Sequence, residues 1–371
     1  MSLALELLGT GAVTPVGLDA EQSCAAIRAK LKRYTVLEEP ILADEDPRIG
    51  ARIRVSPSLR RGDEQWLLNL GARALAACCD QPKFKPERTA LFLLVPEAHR
   101  GHPLSAMDDA SILSALAGRV ELGFAPSSRV FRGGAAALFE ALAEARTLIR
   151  SRAVTRCVIG GADSLLRAAD IDRLDAVGRL HRSEAPQGLV PGEAAAFVLL
   201  GPKMRVRPDP KVDPNADPNA DPKPGPAKRP RPKLAIRGVG LGHERETVLA
   251  GGRSMGDGFV RAFKSATRDA NLPEPDIDFV ASNFNGEGYD ALESAHAHSR
   301  CYRTRRERLP QLWPAVSTGD AGVAGGVLAL IAAAFAISRG YAPGGVDGAG
   351  GKVAAIEARS EGSLRGVAIL R

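Results

Sequence analysis

Hydrophobic residues fall into short unbroken runs, separated by stretches in which apolar and polar positions recur with helical spacing. TALFLLV (89–95) is bounded by charge on one side and proline on the other, the pattern of a strand buried on both faces. TRCVIGGAD (155–163) and AAAFVLLG (194–201) read the same way, and LALELLGTGAVTP (3–15) starts as a strand and runs into a Gly/Pro turn. Asp19 and Asp63 each stand where they can cap a following helix. Further along, LAIRGVGLG (234–242) predicts a strand with a glycine-rich turn, FVRAFKSATRDANL (259–272) an amphipathic helix, and DIDFVASNF (276–284) a buried strand. KVAAIEA (352–358) and GVAILR (366–371) predict the last two strands.

Segments 133–150 and 321–339 predict helices rich in Ala and Gly. Such helices allow very close packing and are expected to be covered on all sides. One plan of strand, surface helix, strand and small-residue helix thus occurs twice, which predicts an α/β protein with pseudo-symmetric halves. Residues 203–233 break the pattern with nine of the 26 prolines and the repeat DPNADPNADP. Such a stretch cannot bury enough apolar surface to offset its chain entropy, so a disordered, extended linker or insert is expected. The expected organisation is an N-terminal half (1–202), a Pro-rich basic linker (203–233) and a C-terminal half (234–371).

Composition adds little against this picture. The 371 residues are 44% hydrophobic, enough for a sizeable core. The formal charge is +7, but nine Lys or Arg against four Asp lie in 203–233 alone, and the remainder is close to neutral. The excess therefore reads as a solvated linker, and neither a nucleic-acid nor a membrane partner is expected. The five cysteines (Cys24, Cys78, Cys79, Cys157 and Cys301) contain no C-x-x-C pair, so no disulfide framework is expected and a reducing cytoplasm is the expected compartment. The N-terminus lacks a basic region followed by a long apolar one, and the most apolar run, 322–337, is too short and Gly/Ala-rich for a membrane span. His296 and His298 diverge on a helix, so no metal is expected there, and His99 and His102 are expected at the surface. GTGAVTPVG and GVGLG do not complete a dinucleotide fingerprint, and no cofactor is expected.

Segment 127–165, SSRVFRGGAAALFEALAEARTLIRSRAVTRCVIGGADSL, resembles the nucleophile helix of β-ketoacyl synthases and the strand ending in their Gly-Gly-Ala-(Asp/Glu)-Ser turn. GTGAVTPVGLDAEQSCAAIRAK is similar to that family's start, and GLVPGEAAAFVLL (188–200) to its Gly-Phe-Val-x-Gly-Glu-Gly-Ala strand, with Glu193 on the family glutamate. DIDFVASNFNGEG resembles the strand leading to the His-Gly-Thr-Gly motif. VSTGDAGVAGGVLALIAAAFAISRGYAPG resembles the Lys-Ser-x-x-Gly-His helix region. In order and spacing these segments resemble the β-ketoacyl (3-oxoacyl carrier protein) synthase branch of the thiolase-like superfamily, over nearly the whole chain outside the linker. The resemblance implies a thiolase-like five-layered α/β/α/β/α fold of two similar halves, usually dimeric. It also implies an active site where a cysteine carries an acyl group and two histidines assist decarboxylation of a malonyl substrate.

Carrying those roles over fails at each catalytic position. The resemblance places Phe131 on the cysteine, Asn285 on the first histidine, Asp320 on the second and Val316 on the lysine. The C-terminal Gly-Phe-Gly-Gly loop is reduced to SEGSLRG (360–366). A phenyl ring cannot attack a thioester, Asn cannot shuttle a proton as imidazole does, and an ionised Asp repels a malonyl carboxylate. No catalytic residue is therefore expected. Arg132, His181, Glu193 and Glu287 are the remaining candidates near the inferred pocket, with Asp320 also suited to cap a helix and Glu193 to a buried structural role needing a partner. The expected function is a non-catalytic homologue, a dimer partner or scaffold of the chain-length-factor kind. It would form a homodimer or a heterodimer with a β-ketoacyl synthase, with acyl carrier protein as a further candidate partner. The alternative is an acyl-transfer or acyl-binding enzyme of fatty-acid or polyketide synthesis.

Overall fold

The computed structural model describes residues 3–37, 47–54, 62–203, 233–345 and 350–371. Between its two ends, the predicted linker 203–233 lies outside the described residues.

The first half contains β1 (Leu5–Val13), α1 (Ala20–Arg28), the short pair β2 (Tyr34–Val36) and β3 (Ile49–Ala51), α2 (Glu64–Cys79) and β4 (Thr89–Leu94). It continues with α3 (Pro103–Ala106), α4 (Asp109–Val120), β5 (Arg129–Phe131), α5 (Ala137–Arg150), β6 (Arg156–Ser164), α6 (Ala168–Ala176) and β7 (Glu193–Pro202). The second half contains β8 (Ala235–His243), α7 (Asp257–Ala270), β9 (Phe279–Ser282), α8 (Gly288–Cys301), β10 (Gln311–Leu312), α9 (Ala315–Thr318), α10 (Ala324–Ser338), β11 (Ala354–Arg359) and β12 (Leu364–Leu370). Both predicted caps form: Asp19 accepts from the Gln22 amide and Asp63 from the Trp66 amide, each at 2.7 Å.

Hydrogen bonding gives the sheet order β10-β9-β11-β12-β8-β1-β7-β6-β4-β5. Read outward from the centre, each half places its first, fifth, fourth, second and third core strand in turn. The directions repeat as well: β4 is parallel to β5 and β6 as β9 is to β10 and β11, while β7 and β12 run antiparallel to their neighbours. Between the halves the sheet is joined by a short ladder, Leu5–Ile236 and Glu6–Ala235, extended by the Leu7 amide on the Leu234 carbonyl at 2.9 Å.

The helices α5 and α10 fill the space between the sheets. α10 touches β6 and β7 on one side and β9 and β11 on the other, and α5 touches β4, β5 and β6 as well as β8 and β12. Their tightness follows from small side chains: a Cβ at Gly326 of α10 would stand 2.9 Å from the Ala135 carbonyl. Outside, α2 with α4 covers one sheet and α7 with α8 the other. The same device sets both outer contacts. A Cβ at Gly11 of β1 would fall 1.9 Å from the Ala74 carbonyl of α2, and one at Gly240 of β8 would fall 2.0 Å from the Ala262 carbonyl of α7. Helix, sheet, helix pair, sheet and helix make the five expected layers, and the duplication is present. Among the described residues no helix is long and apolar enough to cross a membrane.

Candidate functional site

The carboxyl ends of the parallel strands of both halves meet over the starts of α5 and α10, the general position for a ligand site in α/β sheets. A cleft of about 50 Å³ opens there. It is lined by Glu97 and Arg100 after β4, Gly134 and Ala135 before α5, Asn285 after β9, Asp320 before α10, and Arg359 to Glu361 at the end of β11. Small-molecule sites are typically about 300–1,000 Å³, so this recess is small for an acyl chain.

Asn285 is the hub. Its Nδ2 donates to Asp320 Oδ2 at 2.7 Å and to Glu287 Oε2 at 2.9 Å, while its Oδ1 accepts from the Glu287 amide at 3.0 Å. Both amide hydrogens are therefore committed, and none remains to polarise a substrate carbonyl. Asp320 Oδ1 accepts from the Gly322 amide at 2.9 Å, so it also caps the turn that leads into α10. Burial raises the Asp320 carboxyl, outweighing the hydrogen bonds from Asn285 and Gly322.

Around this hub guanidiniums and carboxylates interlock. Arg179 holds Glu287 with two nitrogens at 2.6 and 2.9 Å and reaches Glu361 at 2.6 Å with the third. Arg100 binds Asp163 at 2.6 Å and Asp170 at 3.1 Å. Arg359 pairs with Asp290 and lies 3.6 Å from Glu287. Burial lowers Arg359, and Arg365 and Arg179 add to this against Glu287, to about 9, so it stays cationic at neutral pH. Burial alone would raise Glu361, but His99, Arg179, Arg173 and Arg100 hold it well below the usual range. The backbone N–H groups of Glu361 and Gly362 both serve Glu97, Gly362 at 3.0 Å, and a Cβ on Gly134 would stand 3.1 Å from the same carboxylate. Burial raises Glu97 despite those donors. An internal carboxyl group thus fills the amide-lined corner between the start of α5 and the 360–362 turn.

Three solved structures align with essentially the full chain. A chain from a complex of a type II polyketide acyl-carrier protein with its ketosynthase, bound to the hexaketide, matches with a TM-score of 0.75 at 14% identity, covering 100% of both chains. The ishigamide ketosynthase/chain length factor matches at 0.73 and 17% identity, covering 100% of this chain and 99% of that one. A ketosynthase in complex with its chain length factor from Xenorhabdus doucetiae matches at 0.72 and 14% identity, covering 99% and 98%. The chain has the ketosynthase fold. At these identities the likeness is one of fold; no protein-family profile and no curated protein matches the sequence.

Within the ketosynthase fold, the residues singled out from the sequence divide. Asn285 and Asp320 line the cleft, and Glu287 lies directly behind them. Phe131 does not reach it. Its ring is on β5, 5.2 Å from that of Phe92, and Gly134 and Ala135 are the residues where the helix start meets the cleft. The turn at Gly134, with φ +68°, swings the chain inward after the strand and separates these positions. Arg132 points away, bonding the Ser105 and Met107 carbonyls and Asp109. His181 bonds the Pro186 carbonyl on the surface, and Val316 is exposed on α9. Glu193 is fully buried away from the cleft, accepting from the Ile53 amide at 2.9 Å, Trp66 Nε1 at 3.1 Å and Ser164 Oγ at 3.2 Å.

His102, expected at the surface, is fully buried instead. Its Nε2 stands 3.3 Å from Asp163, and its Nδ1 accepts from the Leu104 amide to cap α3. His99 is half-buried against Glu361 at 2.9 Å. None of the five thiols lines the cleft, and burial pushes Cys24, Cys79, Cys157 and Cys301 up to about 12. Among the described residues no cluster of three metal-ligating side chains exists. The residues missed in the sequence are Arg100, Arg179, Arg359, Glu97 and Glu361. The available signal was the charge within the degenerate 360–366 loop and its flank.

Proposed function

We propose that this chain is a ketosynthase-fold protein without condensing activity that assembles with a catalytic ketosynthase. The observation that carries the reading is the state of the cleft. Gly134 and Ala135 at the helix start offer no nucleophile, Asn285 spends both amide hydrogens on internal carboxylates, and Glu97 occupies the turn amides. An ion-pair lattice of this kind fixes one arrangement of loops, as a scaffold needs. It opposes the reorganisation that binding an acyl thioester would require. Two of the similar structures are ketosynthases with chain length factors, which supports a partner of the ketosynthase kind, with a carrier protein as a further candidate. In this reading 1–202 and 234–371 form the two halves, and 203–233 joins them.

The test incubates the pure protein with acyl and malonyl thioesters, then records intact mass and released carbon dioxide. No adduct and no carbon dioxide are expected. A covalent acyl adduct with turnover would replace this reading with the acyl-transfer enzyme. Co-expression with a cysteine-bearing synthase from the same genome is expected to yield a stoichiometric complex, whereas a homodimer alone would favour an unrelated scaffold.

A further inference from the structure

A groove of about 660 Å³ lies at the β10 edge of the sheet and shares no lining residue with the cleft. Its volume falls within the ~300–1,000 Å³ of small-molecule sites, which the cleft does not approach. Leu312, Trp313 and Val316 form an apolar wall, with Trp313 and Val316 each 37% exposed. The Trp313 ring is held in place by Phe284, with centroids 4.7 Å apart. Arg28, Lys30 and Arg308 belong to the same lining, which contains no carboxylate. None of the three cations engages a carboxylate among the described residues; Arg28 instead lies over the Tyr341 ring at 4.4 Å. Beyond Tyr341 the recess continues into a hollow of about 580 Å³ that shares Arg28 and Tyr341 and is bounded by Phe335 and by Glu21, whose carboxylate is paired with Arg339.

An exposed apolar wall beside three cations without a carboxylate partner among the described residues calls for an occupant with both an aliphatic body and a negative charge. A recess of this volume suits one small molecule better than a flat protein surface. We propose that the groove binds a single acyl carboxylate, with its headgroup among Arg28, Lys30 and Arg308 and its chain along Leu312, Trp313 and Val316. The site is independent of the cleft and of the function proposed for it.

Trp313 provides the readout, because the other tryptophan, Trp66, is buried and bonded to Glu193. Dodecanoate, kept below its micelle concentration, is titrated into the full chain while tryptophan emission is followed. A saturable change is expected. Decanoate should bind about tenfold more weakly, because two methylenes fewer are buried. Dodecanol should bind at least about tenfold more weakly, and so should dodecanoate to an R28Q/R308Q double variant with unaltered thermal unfolding. Trp313→Phe should abolish the emission change while calorimetry still reports binding. Equal affinity for acid and alcohol, or unchanged affinity in the double variant, overturns the proposal. A response confined to anionic phospholipid vesicles overturns it in favour of a membrane surface. A Trp313→Asp variant that converts a dimer to a monomer, without any dodecanoate response in the parent, overturns it in favour of a second copy.

Discussion

Asn285 and Asp320 are joined side chain to side chain at 2.7 Å, which ties the loop after β9 to the turn before α10. Asn285 also donates to Glu287, so one neutral amide separates two carboxylates. Asn285→Asp replaces that separator with a third carboxyl and is expected to destabilise the fold at pH 7 by about 1–3 kcal/mol. The new acid's folded pKa would lie above its unfolded value. Its penalty is therefore absent below the unfolded pKa and grows as pH rises through that window. Urea titrations at pH 7 and pH 5 should show partial recovery at pH 5 for Asn285→Asp and none for Asn285→Ala, which loses the donor without adding a charge.

Glu361 gives the opposite sign. Its folded carboxyl is held below the usual range against burial, by His99 and then Arg179, Arg173 and Arg100. A depressed acid stabilises the fold above its unfolded pKa, about 4.3, and that contribution is lost as pH falls toward the folded value. Glu361→Gln is expected to cost about 2 kcal/mol at pH 7, with the gap to the parent closing as pH drops below about 4. The raised carboxyls Asp320, Glu97 and Glu293 act in the other direction. The Glu361 charge is itself one cause of the raised Asp320 and Glu97, so the difference between the two unfolding curves reports Glu361 together with its effect on those two neighbours. A gap that stays constant down to pH 3 would remove Glu361 from the lattice.

Arg179 and Arg132 distinguish a lattice guanidinium from a surface one. Arg179 is 11% exposed and grips Glu287, itself 5% exposed, whereas Arg132 and its partner Asp109 are 35% and 56% exposed. Removing one member of a buried pair strands the other charge, so Arg179→Met is expected to cost about 3–5 kcal/mol. Arg132→Met should cost about 0–1 kcal/mol. Equal losses in urea unfolding would mean that the cleft is wetter than its geometry indicates.

The sequence reveals these elements unevenly, for physical reasons. Duplication is visible because strand runs such as 89–95 and the Ala/Gly helices 133–150 and 321–339 are local patterns of period and residue size. Asn285 and Asp320 can be found because each follows a recognisable strand or precedes a recognisable helix. Phe131 misleads because the inward turn depends on the left-handed backbone at Gly134, and two adjacent glycines offer two places for it. The guanidinium lattice is hidden because its pairs are distant in sequence: Arg100 with Asp163, Arg179 with Glu287, and Arg179 with Glu361 are 63, 108 and 182 residues apart. Only the closing of two sheets around α5 and α10 selects those partners from the many arginines and acids available. Val316 and Arg132 lie outside the cleft, because α9 turns Val316 toward the β10-edge groove and Arg132 bonds Ser105, Met107 and Asp109 after β5.

Ala135→Cys tests whether a thiol alone restores chemistry. Ala135 is 5% exposed and lines the cleft, so the added Sγ would stand at its wall. No imidazole lines the cleft, because His99 is spent on Glu361 and His102 is buried beside Asp163. The new thiol therefore lacks a general base. The backbone amides that could hold a thioester oxyanion in this corner already serve Glu97. The variant is expected to react with iodoacetamide more slowly than free cysteine at pH 7.5 and to release no carbon dioxide from a malonyl thioester above the parent background. Adding Asn285→His should leave this unchanged, because Glu97 still occupies the turn. Carbon dioxide release by Ala135→Cys alone would mean that the ion-pair lattice yields to substrate, and the cleft would then have to be treated as a catalytic site lacking only its nucleophile.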